Sequence, residues 1–310
     1  MILRKTLFVV ICLNALIISY PTYAKTTNFD LKGALSKHWK GKLKLDPDKV
    51  RTEKQFKEVY LKYKTRNAMN VTIGKIDEPL SLELLSKFHK NSPNVEPSII
   101  KDILKPSKRY GLMFSRNNGK VNLMSGIYTG KANPSNYSVT SRVTYTPFKQ
   151  KGRLLHLGMA YSVRDNGNQN FLNLEAAVAF GSLLFQSEYM NSSVNSQINN
   201  GMINSINNGY YLRASYFLTG ESPSYRSGKF LEKFKPFSKK GALEVVARLN
   251  QIDNINNNKL QQNKNTTLGL NYYLDSKFSL SAHYLINNND ATDDKLNQGD
   301  VVSLNFKYKY

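Results

Sequence analysis

Three arginines and a row of lysines are the residues of this chain whose type and placement could do chemistry. Arg213 alternates with Leu212, Ala214 and Tyr216, Arg248 with Val245, Ala247 and Leu249, and Arg142 with Val139, Val143 and Tyr145. In a strand, successive side chains point to opposite faces, so each guanidinium faces away from an apolar side. A guanidinium grips a planar oxyanion through bidentate, charge-assisted bonds, whereas lysine supplies a mobile point charge. Lys40, Lys42 and Lys44 share one face of another alternating run and could form a ladder of such charges. The plainer expectation is that these bases are solvated or paired with Glu58, Glu175, Glu188 or Glu244. Catalytic patterns are weak. His38, His89, His156 and His283 lack metal-ligand spacing with cysteine or carboxylates, and no phosphate-cradling glycine loop is present. Ser281 and His283 share a face, but it is the face turned away from lipid. No enzyme activity, cofactor or metal is expected.

The elements that must position these bases are strands. In the last ten residues, Val302, Leu304, Phe306, Tyr308 and Tyr310 alternate with Ser303, Asn305, Lys307 and Lys309. One apolar and one polar face, closing on an aromatic, is the pattern of a final strand in a transmembrane antiparallel β-barrel, where lipid takes one side and a wet lumen the other. Phe306, Tyr308 and Tyr310 then form the assembly signal read by the barrel-insertion machinery. At the other end, Arg4 and Lys5 precede an apolar run over residues 7–18, and Thr22-Tyr-Ala24 offers a small residue for cleavage. Residues 1–24 therefore read as a signal peptide, since the run is far below the ~20 residues a spanning helix needs. The one cysteine, Cys12, lies within it. Its removal would leave residues 25–310 without thiol or disulfide chemistry.

Strand follows strand along that remainder: 29–35, 40–45, 58–63, 67–75, 109–117, 120–129, 136–146, 153–163, 171–180, 182–190, 209–219, 241–251, 265–274, 277–286 and 301–310. Short polar turns alternate with longer Asn-rich links at 191–208, 252–264 and 287–300, as periplasmic turns alternate with extracellular loops. Mean hydropathy is −0.47, so a place in the membrane means a barrel. The count, fifteen, is odd, whereas consecutive antiparallel strands close when it is even. The fold class is therefore all-β, a barrel of about 14–16 strands. Two stretches break the rhythm. Leu80, Leu84, Leu85 and Phe88 are spaced for a short helix in a loop over 79–106, read as folded into the lumen and constricting it. Residues 219–241 form a long basic loop.

The formal net charge of +22, lowered by two when Arg4 and Lys5 leave, favours anionic partners. Small anions and lipopolysaccharide in the outer membrane fit an exported chain better than nucleic acid does, since no nucleic-acid module is recognisable.

Gly209-Tyr-Tyr-Leu-Arg-Ala-Ser-Tyr-Phe-Leu-Thr-Gly-Glu-Ser-Pro-Ser-Tyr225, with Lys235-Pro-Phe and Gly241-Ala-Leu-Glu-Val-Val-Ala-Arg-Leu-Asn250, resembles the signature region of the phosphate-selective porin family of Gram-negative outer membranes. Asn70-Val-Thr-Ile-Gly-Lys75 with Glu78-Pro-Leu-Ser-Leu-Glu83 is similar to that family's strand and inward loop, and Arg109-Tyr-Gly-Leu-Met113 and Leu268-Gly-Leu-Asn-Tyr-Tyr-Leu274 also fit. The resemblance extends from about Phe29 to Tyr310 and is most specific at Thr219-Gly-Glu-Ser222. It implies a sixteen-stranded homotrimeric channel and passive diffusion of small anions such as phosphate. Family members carry a further strand before the segment corresponding to Phe29–Trp39, a departure that accounts for the odd count. A surface-binding or adhesion barrel with little conductance, and a decayed porin lacking its first strand, are the alternative readings.

Overall fold

Alternating sequences of this kind satisfy their backbone groups only by pairing with neighbours, and one large sheet results. The computed structural model describes residues 29–45, 56–67, 69–86, 103, 108–130, 136–150, 152–164, 168–198, 201–231, 236–256, 259–275, 277–288 and 299–308. The expected signal peptide and Tyr310 lie outside them. The described residues form seventeen strands: β1 Phe29–Ala34, β2 Trp39–Leu45, β3 Phe56–Lys64, β4 Met69–Asp77, β5 Lys108–Asn117, β6 Val121–Thr129, β7 Tyr137–Gln150, β8 Arg153–Arg164, β9 Gln169–Phe180, β10 Leu183–Ile198, β11 Gly201–Phe217, β12 Tyr225–Arg226, β13 Lys229–Phe230, β14 Ala242–Asn256, β15 Lys259–Tyr273, β16 Phe278–Asn287 and β17 Val301–Tyr308. All but β12 and β13 form a single 15-stranded antiparallel sheet in chain order, matching the strands read from sequence one for one. Because an even number of antiparallel steps separates them, β1 and β17 point the same way. Among the described residues no ladder joins these two strands.

The two faces differ in the way a barrel requires. Outward lie Ile73, Leu112, Ile127, Val139, Leu157, Leu174, Leu212, Leu249, Leu268 and Leu280, all exposed. Aromatics flank this aliphatic band. Trp39, Phe148, Phe180, Tyr216 and Phe306 stand near the short turns, and Tyr110, Tyr137, Tyr161, Tyr189, Tyr210 and Tyr284 near the opposite end. Such rings sit at the two membrane–water interfaces. Phe306 and Tyr308 of the expected assembly signal belong to the outward face of β17, and Phe306 packs edge-on against Phe278 at 4.8 Å.

Two of the three links read as long loops are strand instead. Residues 191–198 pair with 201–208, and 252–256 pair with 259–263. These arms extend beyond the aliphatic band, where lipid no longer requires one apolar face. Asn and Ser then serve on either side, and the apolar alternation that marks a strand disappears.

The interior is filled from both ends. The link after β4 descends from the long-loop end and contains α1, Leu82–Leu85, the short helix anticipated over 79–106. The 218–241 link leaves β11 at the short-turn end, where Ser222 donates to the Gly181 carbonyl at 2.5 Å, and turns inward as the β12–β13 hairpin. Its two-residue turn has positive φ at Ser227 (50°) and Gly228 (75°), the conformation that matches the twist of a tight hairpin. The two insertions meet where the Phe230 amide donates to Ser86 Oγ at 3.1 Å. Phe230 and Leu82 pack with Leu154, Leu184, Phe217 and Tyr273 in one apolar cluster. Leu80 and Ile103 pack with Phe171, Met190, Tyr211 and Ile252 in another. Neither cluster includes a residue of β1–β3 or β17.

Candidate functional site

The strand phase read from sequence holds for all three arginines: Arg142, Arg213 and Arg248 face the interior and are buried. Each meets a carboxylate. Arg142 Nη2 lies 2.6 Å from Glu175 Oε1 and donates to the Gly228 carbonyl at 2.7 Å. The same carboxylate is bonded by His156 Nε2 at 3.1 Å, while His156 Nδ1 meets the Tyr225 hydroxyl at 2.5 Å. Arg142 thus carries the tip of the inserted hairpin on the wall. Arg213 Nη2 lies 3.5 Å from Glu244 Oε1, and Glu244 Oε2 accepts from Asn271 and Tyr273.

Arg248 binds the other insertion. Both of its terminal nitrogens donate to the two oxygens of Glu83 in α1 at 3.0 Å, its Nε donates to Asn250, and its guanidinium carbon lies 4.1 Å over the Tyr211 ring. The N-terminal amides of α1 need acceptors that a helix cannot supply itself. Glu188 provides them, taking the Leu82 amide at 3.0 Å and the Glu83 amide at 2.8 Å. Just upstream, buried Glu78 sits between Arg109, 3.0 Å away, and Arg164. Sequence reading missed Glu78, Glu83, Arg109, Arg164, His156 and Tyr225 as members of this network, because nothing local links residues that meet across a lumen.

Three of the four carboxylates expected to pair inward bases do so: Glu58, Glu175 and Glu244. The Glu58 Oε2 atom takes Lys42 at 2.8 Å and Lys108 at 2.7 Å. Lys44 is half-buried, in register between Asp30 of β1 and Glu58 of β3.

Lys40 is different. It is exposed, it faces the interior, and its direct neighbour across the β2–β3 ladder is another cation, Lys62. Arg226 of the inserted hairpin lies close enough for its charge, with that of Lys40, to act on Lys62. Arg226 is itself exposed. The wall that the apolar clusters leave bare therefore carries three like charges converging from two strands and the hairpin. Like charges set directly opposite destabilise a sheet, and an anion between them would offset that repulsion. Sequence reading named Lys40 and missed Lys62 and Arg226.

Among the described residues no cluster of His, Cys, Asp and Glu could hold a metal ion. The model of the family described as phosphate-selective porin O and P matches residues 20–173 and 165–310, almost the whole chain. The chain belongs to that family. Porin O of Pseudomonas aeruginosa is 26% identical over 231 residues, covering 54% of this chain and 52% of that protein. The porin therefore spans about half the length of the curated relative it matches. Solved porin barrels share its fold. OmpT of Vibrio cholerae lacking its loop L8 superposes with a TM-score of 0.58 at 10% identity, covering 94% of this chain and 93% of that one. An anion-selective porin from Comamonas acidovorans superposes with a TM-score of 0.53 at 17% identity, covering 93% and 86%. This porin is thus a β-barrel of the outer membrane, and its family is one of channels.

Proposed function

We propose that the protein passes small anions, phosphate among them, by diffusion along the interior wall formed by β2 and β3. The observation that carries this reading is the Lys40, Lys62 and Arg226 cluster, in which Lys40 stands directly opposite Lys62 and the Arg226 charge acts on Lys62. Several weak charges in a water-filled passage let an anion enter and leave, whereas one tight site would hold it. On this reading Arg142, Arg213 and Arg248 act on the pathway indirectly, by fixing the insertions and the wall that bound it. The family name and the anion-selective relative support the same solute class. A homotrimer, contact with lipopolysaccharide and insertion by the barrel-assembly machinery from the β17 signal at Phe306, Tyr308 and Tyr310 complete the proposal. The test is the reversal potential of purified, refolded protein in a planar bilayer under a salt gradient. Preference for anions is expected, and a cation preference would overturn the reading. Folded, inserted protein without conductance would favour the surface-binding alternative.

A further inference from the structure

Charge is distributed unevenly between the two ends of the barrel. At the short-turn end, Lys37, Arg66, Lys120, Arg153, Lys240 and Lys277 are all exposed, and they stand in or beside successive connections around the circumference. The Gly181–Ser182 turn alone lacks such a residue. Among the described residues, the exposed carboxylate at this end is Asp275, and its Oδ1 already accepts the Lys277 and Phe278 amides at 2.7 Å. Those amides hold its carboxyl below the usual range. At the opposite end, no lysine or arginine whose side chain is described is exposed.

The basic residues lie just beyond an aromatic ring. Lys277 precedes Phe278, the Tyr272 hydroxyl donates to the Lys240 carbonyl at 2.6 Å, and Lys37 stands two residues from Trp39. Arg116, exposed on the outer face of β5 beyond Phe114, is a cation on the lipid side, tolerable there because it is close to the interface.

We propose that this rim docks the headgroups of anionic phospholipids in the membrane leaflet that meets the short turns. A free anion, or an acidic patch on a protein, needs cations that converge. These are spread around a perimeter at one level next to an aromatic belt, which fits an extended charged surface. The pathway cations Lys40, Lys62 and Arg226 are separate from this set, because they face the interior.

The sole tryptophan, Trp39, makes the test direct, since it lies on the outer face beside Lys37 and against the Tyr63 ring at 4.8 Å. The full chain is reconstituted in phosphatidylcholine vesicles with a minority of phosphatidylglycerol, bromine being placed on the acyl chains of one lipid or the other. Quenching of Trp39 by brominated phosphatidylglycerol should exceed its mole fraction by about two-fold or more. K37Q/R66Q, or molar salt, should return it to the mole fraction. Quenching that follows mole fraction in the unmodified protein overturns the proposal, whatever the variant does. Two further outcomes would also overturn it. One is a preference abolished by millimolar inorganic phosphate at constant ionic strength, which marks a free-anion site. The other is a K37Q/R66Q variant that loses anion selectivity while keeping its lipid preference, which assigns the rim to the pore mouth.

Discussion

Glu83 and Arg248, 165 residues apart in the chain, meet through two parallel bonds of 3.0 Å. The pair fixes α1 to the far wall of the barrel, and both side chains are largely withdrawn from water. Removing one member of such a pair strands the other, at a cost of about 3–5 kcal/mol in a dry interior. Glu83→Gln should therefore lower the temperature at which the folded band disappears in heat-modified electrophoresis. Single-channel current should become noisier as the inserted segment loosens. A quiet, equally heat-resistant channel would count against the anchoring role of α1.

Charge reversal separates the pathway from the anchors. Lys62→Glu should reduce the anion-to-cation permeability ratio by roughly two- to five-fold, the scale of a unit charge acting across a few ångströms of water. Arg142→Gln should change that ratio less than Lys62→Glu does, and only through the position of Arg226 on the released hairpin, but it should destabilise the barrel more, because Glu175 is left buried with His156 as its remaining ionisable partner. Reversal potentials and urea unfolding of both variants decide the matter. The Lys62 effect should fade in molar salt, where the Debye length falls to about 3 Å.

The tip of the inserted hairpin tolerates little more than glycine. At Gly228, with φ at +75°, an added Cβ would lie 2.9 Å from Thr144 Oγ1 and 3.2 Å from Arg142 Nη1. Gly228→Val should cost about 1–3 kcal/mol in backbone strain alone and displace the hairpin from Arg142. Lower resistance to urea, together with protease sensitivity near residue 228, is the expected result.

Deleting Phe306–Tyr310 removes the outward aromatics of the last strand and the Leu280–Phe306 and Phe278–Tyr308 steps of its ladder. The truncated chain should accumulate as periplasmic aggregates. Unchanged outer-membrane levels in fractionated cells would contradict the assembly role of this segment.

The wall of this barrel was legible in sequence because lipid imposes a rule on every strand. Arg213 is inward since Leu212, Ala214 and Tyr216 are outward, and period two suffices to say so. No such rule operates in the extended arms at 191–198 and 201–208, which pair beyond the aliphatic band and read as loop in sequence. The interior partners were only partly legible. Glu244 was an expected counter-ion and stands beside Arg213 on the neighbouring strand. Glu83 showed itself as one residue of a short helix, and only the path of the chain through the lumen brings it to Arg248. Arg226 was hidden in the same way, within a segment readable as basic but not as a hairpin folded inward.

The contact between Ser86 and Phe230 also bears on the order of construction. The helix reaches it from one mouth of the barrel and the hairpin from the other, and apolar side chains from strands as distant in sequence as β8 and β15 close around them. In a closed wall such contents could enter only by the two mouths, each insertion reaching its place without the other. Laid against the sheet while it is still an open curl, both meet their apolar partners as the strands come together, as a ship is set in its bottle before the neck is drawn.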